Sequence, residues 1–304
     1  MDGGMGQELR RRGIKGSNIL WSAYALVTAP QCVVQIHRDY INAGAQIITT
    51  NTYSTIRRRL DDAAIGSSFE KLNVAAGELA MAARDECHSD VLIAGSLPPL
   101  QGSYRPDLVE EFDIIEPFYR EQAEILAPYI DFFLCETMSS SMEAKAAASG
   151  AASTGKPVWV SWTLKDGGSN LLRSGETISE AHAELKDIPV SGFLVNCSSP
   201  ESITQAMDDL GALSEFPVGG YANAFAGIPK NWSLTTDASM PGVRDDLTPQ
   251  VYAEHAQRWI TRGARIVGGC CEVGPEHIAH LHQSIHEQPD NLSPQSHYLN
   301  RVQP

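Results

Sequence analysis

The chain has 304 residues, of which 42% are apolar, 20% charged and 7% aromatic; this is globular composition, rich enough for a sizeable core, and it excludes a disordered chain. The formal net charge of −14 argues against nucleic acid as a partner, which needs a basic footprint, and mildly favours a cationic ligand. Six cysteines are too sparse for a disulfide framework, and no stretch approaches the roughly 18 apolar residues of a membrane span. Met1-Asp2-Gly3-Gly4 has no basic or apolar leader pattern, so the expected setting is a reducing cytoplasm, away from membranes.

In chain order, short apolar runs that suit buried parallel strands alternate with amphipathic runs that suit helices. After the Gly-rich start, a helix is predicted over Pro30–Ala43 and a strand over Gln46–Thr50. A helix over Phe69–Cys87 leads to a strand over Val91–Ser96. The pattern continues with helix Asp107–Pro128, strand Ile130–Glu136, helix Ser140–Thr154, strand Val158–Thr163, helix Glu176–Lys186 and strand Gly192–Cys197. It closes with helix Pro200–Leu213, strand Pro217–Ala222, helix Pro249–Arg262, strand Ala264–Cys270 and helix Pro275–His286. Ser199-Pro200 and Thr248-Pro249 are good helix openings.

Seven strands and eight helices favour a single-domain (β/α)₈ barrel over residues 1–288, with an open doubly wound sheet as the alternative. An eighth strand should precede the first helix, where only Met1–Gly6 is available: either the numbered sequence begins inside that strand, or the strand is minimal. Residues 289–304 read as a polar tail outside the barrel, or as an arm on a partner subunit if the protein is a homo-oligomer. The segment 224–246, which holds Trp232, lacks helical period and reads as a lid or a surface excursion. Asp2-Gly3-Gly4-Met5-Gly6 lacks the Gly-Lys-Ser/Thr of a phosphate loop.

Three cysteines stand out. Cys197 ends one predicted strand, and Cys270 and Cys271 end the last, after Gly268-Gly269. In a barrel all strand C-termini meet at one rim, so these residues can converge, and three thiolates suit tetrahedral Zn²⁺. Spacing alone leaves open a buried small hydrophobe, a strained redox pair and a zinc site. His277, His280, His282 and His286 read first as a solvated helix face, with a second metal as the alternative; Arg57-Arg58-Arg59 reads as a solvent-facing run.

A set of motifs runs through nearly the whole chain: Asp2-Gly3-Gly4-Met5-Gly6-Gln7-Glu8-Leu9, Leu20-Trp21-Ser22-Ala23, Thr50-Asn51-Thr52-Tyr53, Glu136-Thr137, Asn196-Cys197 and Gly268-Gly269-Cys270-Cys271. In this order they resemble the homocysteine S-methyltransferase family. Only Met1 precedes Asp2, where the family usually carries several apolar residues. The resemblance implies a (β/α)₈ barrel with one catalytic zinc on Cys197, Cys270 and Cys271. It implies that Asp2 and Glu136 hold the amino group of homocysteine and that N–H groups around Gly3, Gly4 and Met5 cradle its carboxylate. Thr50, Asn51, Thr52 and Asn196 are implied to line the same pocket. Trp21, Tyr53, Trp162, Tyr221 and Trp232 can offer aromatic faces to a cationic methyl donor.

The implied reaction moves a methyl group from an onium donor, S-methylmethionine or S-adenosylmethionine before betaine, to homocysteine, giving methionine. Another thiol or selenol acceptor such as selenocysteine is the alternative within the fold. A zinc- or redox-responsive binding protein is the alternative outside catalysis.

Overall fold

The computed structural model describes residues 1–14, 20–213, 215–229 and 241–286. Its helices are α1 (Met5–Arg11), α2 (Ala25–Thr28), α3 (Pro30–Asn42), α4 (Arg57–Asp62), α5 (Phe69–Glu86), α6 (Phe112–Leu126), α7 (Ser141–Ala152), α8 (Ile178–Ala183), α9 (Pro200–Gly211), α10 (Pro249–Thr261) and α11 (Pro275–His286). The strands are β1 (Ile47–Thr49), β2 (Leu92–Leu97), β3 (Phe132–Met138), β4 (Val158–Trp162), β5 (Val190–Asn196), β6 (Val218–Ala222) and β7 (Ile266–Gly269), all parallel and paired in chain order. Each predicted strand is found, with no end shifted by more than two residues.

The place of an eighth strand is taken by Met1 and Asp2. The Asp2 N–H donates to the Ile47 carbonyl at 2.9 Å, and the Asp2 carbonyl accepts from the Gly269 N–H at 2.9 Å. The backbone at Asp2 thus bridges β1 and β7, as a closed α/β barrel requires.

Two helix predictions need trimming. Val109 is extended, so α6 starts at Phe112 instead of Asp107. α8 opens two residues later than predicted because Thr177 caps it: its hydroxyl accepts from the Glu180 N–H while the Glu180 carboxylate accepts from the Thr177 N–H. The run 57–59 forms a helix rather than a solvated stretch. Arg57 pairs with Glu121 and Arg58 with Glu110, while Arg59 is buried.

Strand period explains where the site falls. Successive residues point to opposite faces, so alternate positions enter the barrel. Ala94, Phe132, Leu134, Trp159, Leu194 and Tyr221 pack together as the interior layer. Their alternates Phe133, Cys135, Val160, Trp162, Phe193 and Val195 join the larger core beneath the helices. One step further along the inward series come Ser96, Glu136, Ser161 and Asn196, all buried and all polar. The barrel is therefore apolar below and polar at its C-terminal rim. Truncating an outward residue such as Phe133 to Ala would cost about 3–5 kcal/mol of stability. Among the described residues no helix is long and apolar enough to cross a membrane.

Candidate metal and substrate site at the barrel rim

Glu136 continues the inward series of β3 after Phe132 and Leu134. Ser96 Oγ donates to its Oε1 at 2.5 Å and Tyr221 OH to its Oε2 at 3.3 Å. Burial pushes its carboxyl up to about 7, against the pull of the Ser96 hydrogen bond. Asp2 lies across the barrel mouth, where the Thr49 N–H reaches Oδ2 at 2.7 Å and the Thr49 hydroxyl reaches Oδ1 at 2.9 Å. Burial raises Asp2 to about 6, with the Thr49 backbone bond opposing. Burial disfavours the charged form of both carboxyls, and a cation bound between them would favour it.

The three predicted cysteines converge. Cys197 Sγ lies 2.8 Å from Cys270 Sγ and 3.7 Å from Cys271 Sγ, and all three sulfurs lie within 4.8 Å of one another. A tetrahedral site with sulfur at about 2.3 Å has edges of roughly 3.8 Å. The set therefore fits a metal ion once Cys197 and Cys270 move apart by about 1 Å. Burial opposes ionisation of Cys197, but hydrogen bonds from Cys270, Cys271, Tyr104 and Asn223 outweigh it and hold its thiol well below the ordinary range. Cys270 and Cys271 are raised, chiefly because each gives its hydrogen bond to Cys197.

Glycines let the backbone close around these groups. A Cβ on Gly269 would sit 2.1 Å from Val273 Cγ1, and one on Gly3 would sit 2.2 Å from the Val273 carbonyl. Both signatures, Asp-Gly-Gly and Gly-Gly-Cys-Cys, are thus tied to the same turn after β7.

Asn196 and Thr137 hold the rim together. Asn196 Oδ1 accepts from the Thr137 N–H and from Ser161 Oγ, each at 2.8 Å, and its Nδ2 donates to Thr137 Oγ1 at 2.9 Å. Thr137 has φ of +62° and Cys197 of +48°, left-handed values that side chains rarely adopt. The side chain between them locks both turns, one beside Glu136 and the other at the metal-binding sulfur.

These groups surround a cavity of about 110 Å³. Of the predicted substrate residues, Asp2, Gly3, Gly4, Met5, Thr50, Asn51 and Glu136 line it; of the predicted aromatic residues, Trp21, Tyr53 and Tyr221 do. The structure takes others away. Trp162 points outward and stacks on Phe193 at 5.6 Å, fully buried under the helices, so it offers no face to a donor. Thr52 is sealed beneath the rim, its hydroxyl donating to the Ser96 carbonyl at 2.7 Å. Asn196 is fully buried and committed to β3 and β4. The Gly4 N–H donates to the Val273 carbonyl at 3.0 Å, so it cannot also cradle a carboxylate. Trp232, most of the predicted lid and the predicted tail lie outside the described residues. Near the two ends of the 224–246 segment, Phe225 and Val243 form an antiparallel bridge.

Gln7, Ser22, Thr49, Ser103 and Tyr104 line the cavity without having been singled out from the sequence. Thr49 and Tyr104 follow from the rim rule, since both lie at or beyond the C-terminal end of a strand. The lining contains two carboxylates and three cysteine sulfurs and, among the described residues, neither lysine nor arginine. Such a lining suits cations. The histidines of α11 form no rival centre: among the described residues the three cysteines alone meet the geometry of a metal-binding group. His277 is engaged instead with the Gly274 N–H and the Leu247 carbonyl.

Fold and site together define an α/β barrel protein with a three-cysteine metal-binding group at its rim. A sequence profile described as homocysteine S-methyltransferase matches residues 1–285. The chain is 31% identical to the homocysteine S-methyltransferase of Escherichia coli, over 92% of this chain and 93% of that one. It is 29% identical to the selenocysteine methyltransferase of Astragalus bisulcatus, over 93% and 91%. It superposes on the metallated form of the Escherichia coli homocysteine methyltransferase with a TM-score of 0.78 at 28% identity, covering 93% and 94% of the two chains. The chain belongs to the homocysteine S-methyltransferase family, and its class is that of the methyltransferases.

Proposed function

We propose that this protein transfers a methyl group from an onium donor to the sulfur of homocysteine, using zinc held by Cys197, Cys270 and Cys271. The observation that carries the reading is the convergence of these three sulfurs, within 4.8 Å of one another, on a cavity that also holds Asp2 and Glu136. Bound there, zinc would supply a Lewis acid that stabilises the acceptor sulfur as its thiolate, the only good nucleophile a thiol offers near neutral pH.

The chain's own residues do the rest. Asp2 and Glu136 face the cavity as a pair and receive the ammonium group, which favours their ionised forms. The Met5 backbone N–H at the start of α1, in the same cavity, is the group offered to the carboxylate. The substrate is then held at both ends, and its sulfur is presented at the cysteines. Trp21, Tyr53 and Tyr221 offer aromatic faces to the positive charge of the donor. Because the acceptor meets a cation at the three cysteines, no separate general base is needed, and no histidine lines the cavity among the described residues.

S-methylmethionine and S-adenosylmethionine are the favoured donors, with betaine third. Selenocysteine is the second acceptor to be tested, because relatives named as selenocysteine methyltransferases align with almost the whole chain. The reading extends to a catalytic barrel over 1–288, a polar segment over 289–304 and a cytoplasmic setting. The test is a rate measurement with homocysteine and with selenocysteine against each of the three donors, before and after chelation. Activity with one donor, lost on chelation and in Cys270→Ala, supports the reading; full activity in metal-free protein contradicts it.

A further inference from the structure

One buried phenol faces the metal-binding sulfurs without a role in the proposed reaction. Tyr104 lies in the segment that joins β2 to α6 and is 8% exposed; its hydroxyl oxygen is 2.9 Å from Cys197 Sγ. A sulfur that ligates a metal carries no proton, so the phenol must be the donor in that contact. The placement is held from several sides. Tyr104 has φ of +65°, a strained value for a bulky residue. Its neighbour Ser103 is hydrogen-bonded to Tyr53 OH at 2.7 Å.

The Arg173 guanidinium lies over the Tyr104 ring, 4.8 Å from its centroid. Arg173 is aimed by Asp166 through two hydrogen bonds of 3.0 and 2.8 Å, and its backbone N–H donates to the Thr163 carbonyl at 3.2 Å. The Thr163 hydroxyl in turn donates to the Cys197 carbonyl at 3.3 Å. The β2 and β4 loops therefore converge on one thiolate, through a phenol and a cation stacked on its ring. A cation over a π face withdraws electron density from the ring and makes its O–H a better donor.

We infer that Tyr104, held by Arg173, is a positioning residue that draws charge from the Cys197 thiolate by a hydrogen bond and so strengthens the capture of the acceptor thiolate at the metal. The inference rests on the zinc reading above. The physical reason is that a thiolate relieved of charge gives less of it to the ion it holds. The ion then has more attraction left for a further anionic sulfur, and partners one step beyond the ligands tune a metal in this way.

Cobalt(II) can replace zinc and reports on sulfur through its thiolate-to-metal charge-transfer bands. The experiment compares the cobalt-loaded wild type, Tyr104→Phe and Arg173→Met, and titrates each with homocysteine while recording the bands. In Tyr104→Phe the bands move to longer wavelength, because a thiolate that loses a hydrogen bond holds its electrons less tightly, and homocysteine binds about tenfold more weakly. Arg173→Met keeps the phenol and shifts both readouts in the same direction by less. A purely structural role for Tyr104 would leave the band energy of loaded protein unmoved.

Unchanged bands together with unchanged homocysteine affinity in Tyr104→Phe overturn the inference. Should that variant fail to fold, Arg173→Met decides in the same way. A wild type that takes up cobalt without thiolate bands instead overturns the metal reading itself, and this inference with it.

Discussion

Replacing Asn196 by alanine tests how the rim is built. The side chain is fully buried and makes three hydrogen bonds, two accepted by Oδ1 at 2.8 Å and one donated by Nδ2 at 2.9 Å. Alanine leaves the buried Thr137 N–H and Ser161 hydroxyl without that partner, and each such group costs about 1–3 kcal/mol. Thr137 at +62° then has no lock, and a β-branched residue there relaxes to escape a strain of about 1–3 kcal/mol. The relaxation partly offsets the loss, so Asn196→Ala should destabilise by about 3–5 kcal/mol. Urea unfolding at constant m-value measures this. Ser161→Ala removes one hydrogen bond and should cost about 1 kcal/mol. The relaxation also turns the Glu136 carboxylate away from the cavity, so the homocysteine KM should rise in Asn196→Ala more than in Ser161→Ala. A loss below about 1 kcal/mol with an unaltered KM would refute the claim that Asn196 ties the Glu136 turn to the Cys197 turn.

Three further outcomes follow from the same geometry. Glu136→Gln removes a charge-assisted contact of about 1.5–3 kcal/mol, so steady-state kinetics should show the homocysteine KM rising roughly 10- to 150-fold with a smaller change in kcat; an unchanged KM would remove Glu136 from the ammonium site. Gly3→Ala drives a methyl group into the Val273 carbonyl, 2.2 Å away, and should lower stability by about 1–3 kcal/mol, read as a fall in Tm. Glu143 provides the pH test: burial raises it to about 7 from 4.5, with the bonds from Ser139 opposing. Its folded state binds the proton more tightly, so its contribution to stability is full below pH 4.5 and is lost as pH rises through 7. Glu143→Gln should therefore gain on the wild type by up to about 3 kcal/mol between pH 5 and 8, as chemical denaturation across that range would show; parallel pH profiles would count against it.

The barrel was legible because its strands are continuously apolar and its helices open on Ser-Pro and Thr-Pro pairs. The closing strand was not, since Met1 and Asp2 carry no hydrophobic run and act through two backbone hydrogen bonds. The metal-binding sulfurs were legible from strand ends and from the motif resemblance. Trp162 was misjudged because position in the chain does not give a side chain's direction: one step of the period-two alternation separates it from Ser161, which faces inward to Asn196. Thr52 and Asn196 belong to the motifs, yet they support the site from beneath rather than touch the cavity. Gly4 serves by its missing side chain, 2.9 Å from the Cys270 carbonyl if a Cβ were added, while its N–H is used elsewhere. Tyr104 escaped notice because its partner lies 93 residues away and no local pattern marks it.

X-ray absorption at the zinc edge addresses the central claim most directly. Purified reduced protein should contain one zinc per chain bound by three sulfurs at about 2.3 Å and one lighter atom, and homocysteine should convert this to four sulfurs. A zinc shell without sulfur, or a sulfur count that homocysteine leaves at three, would contradict the account.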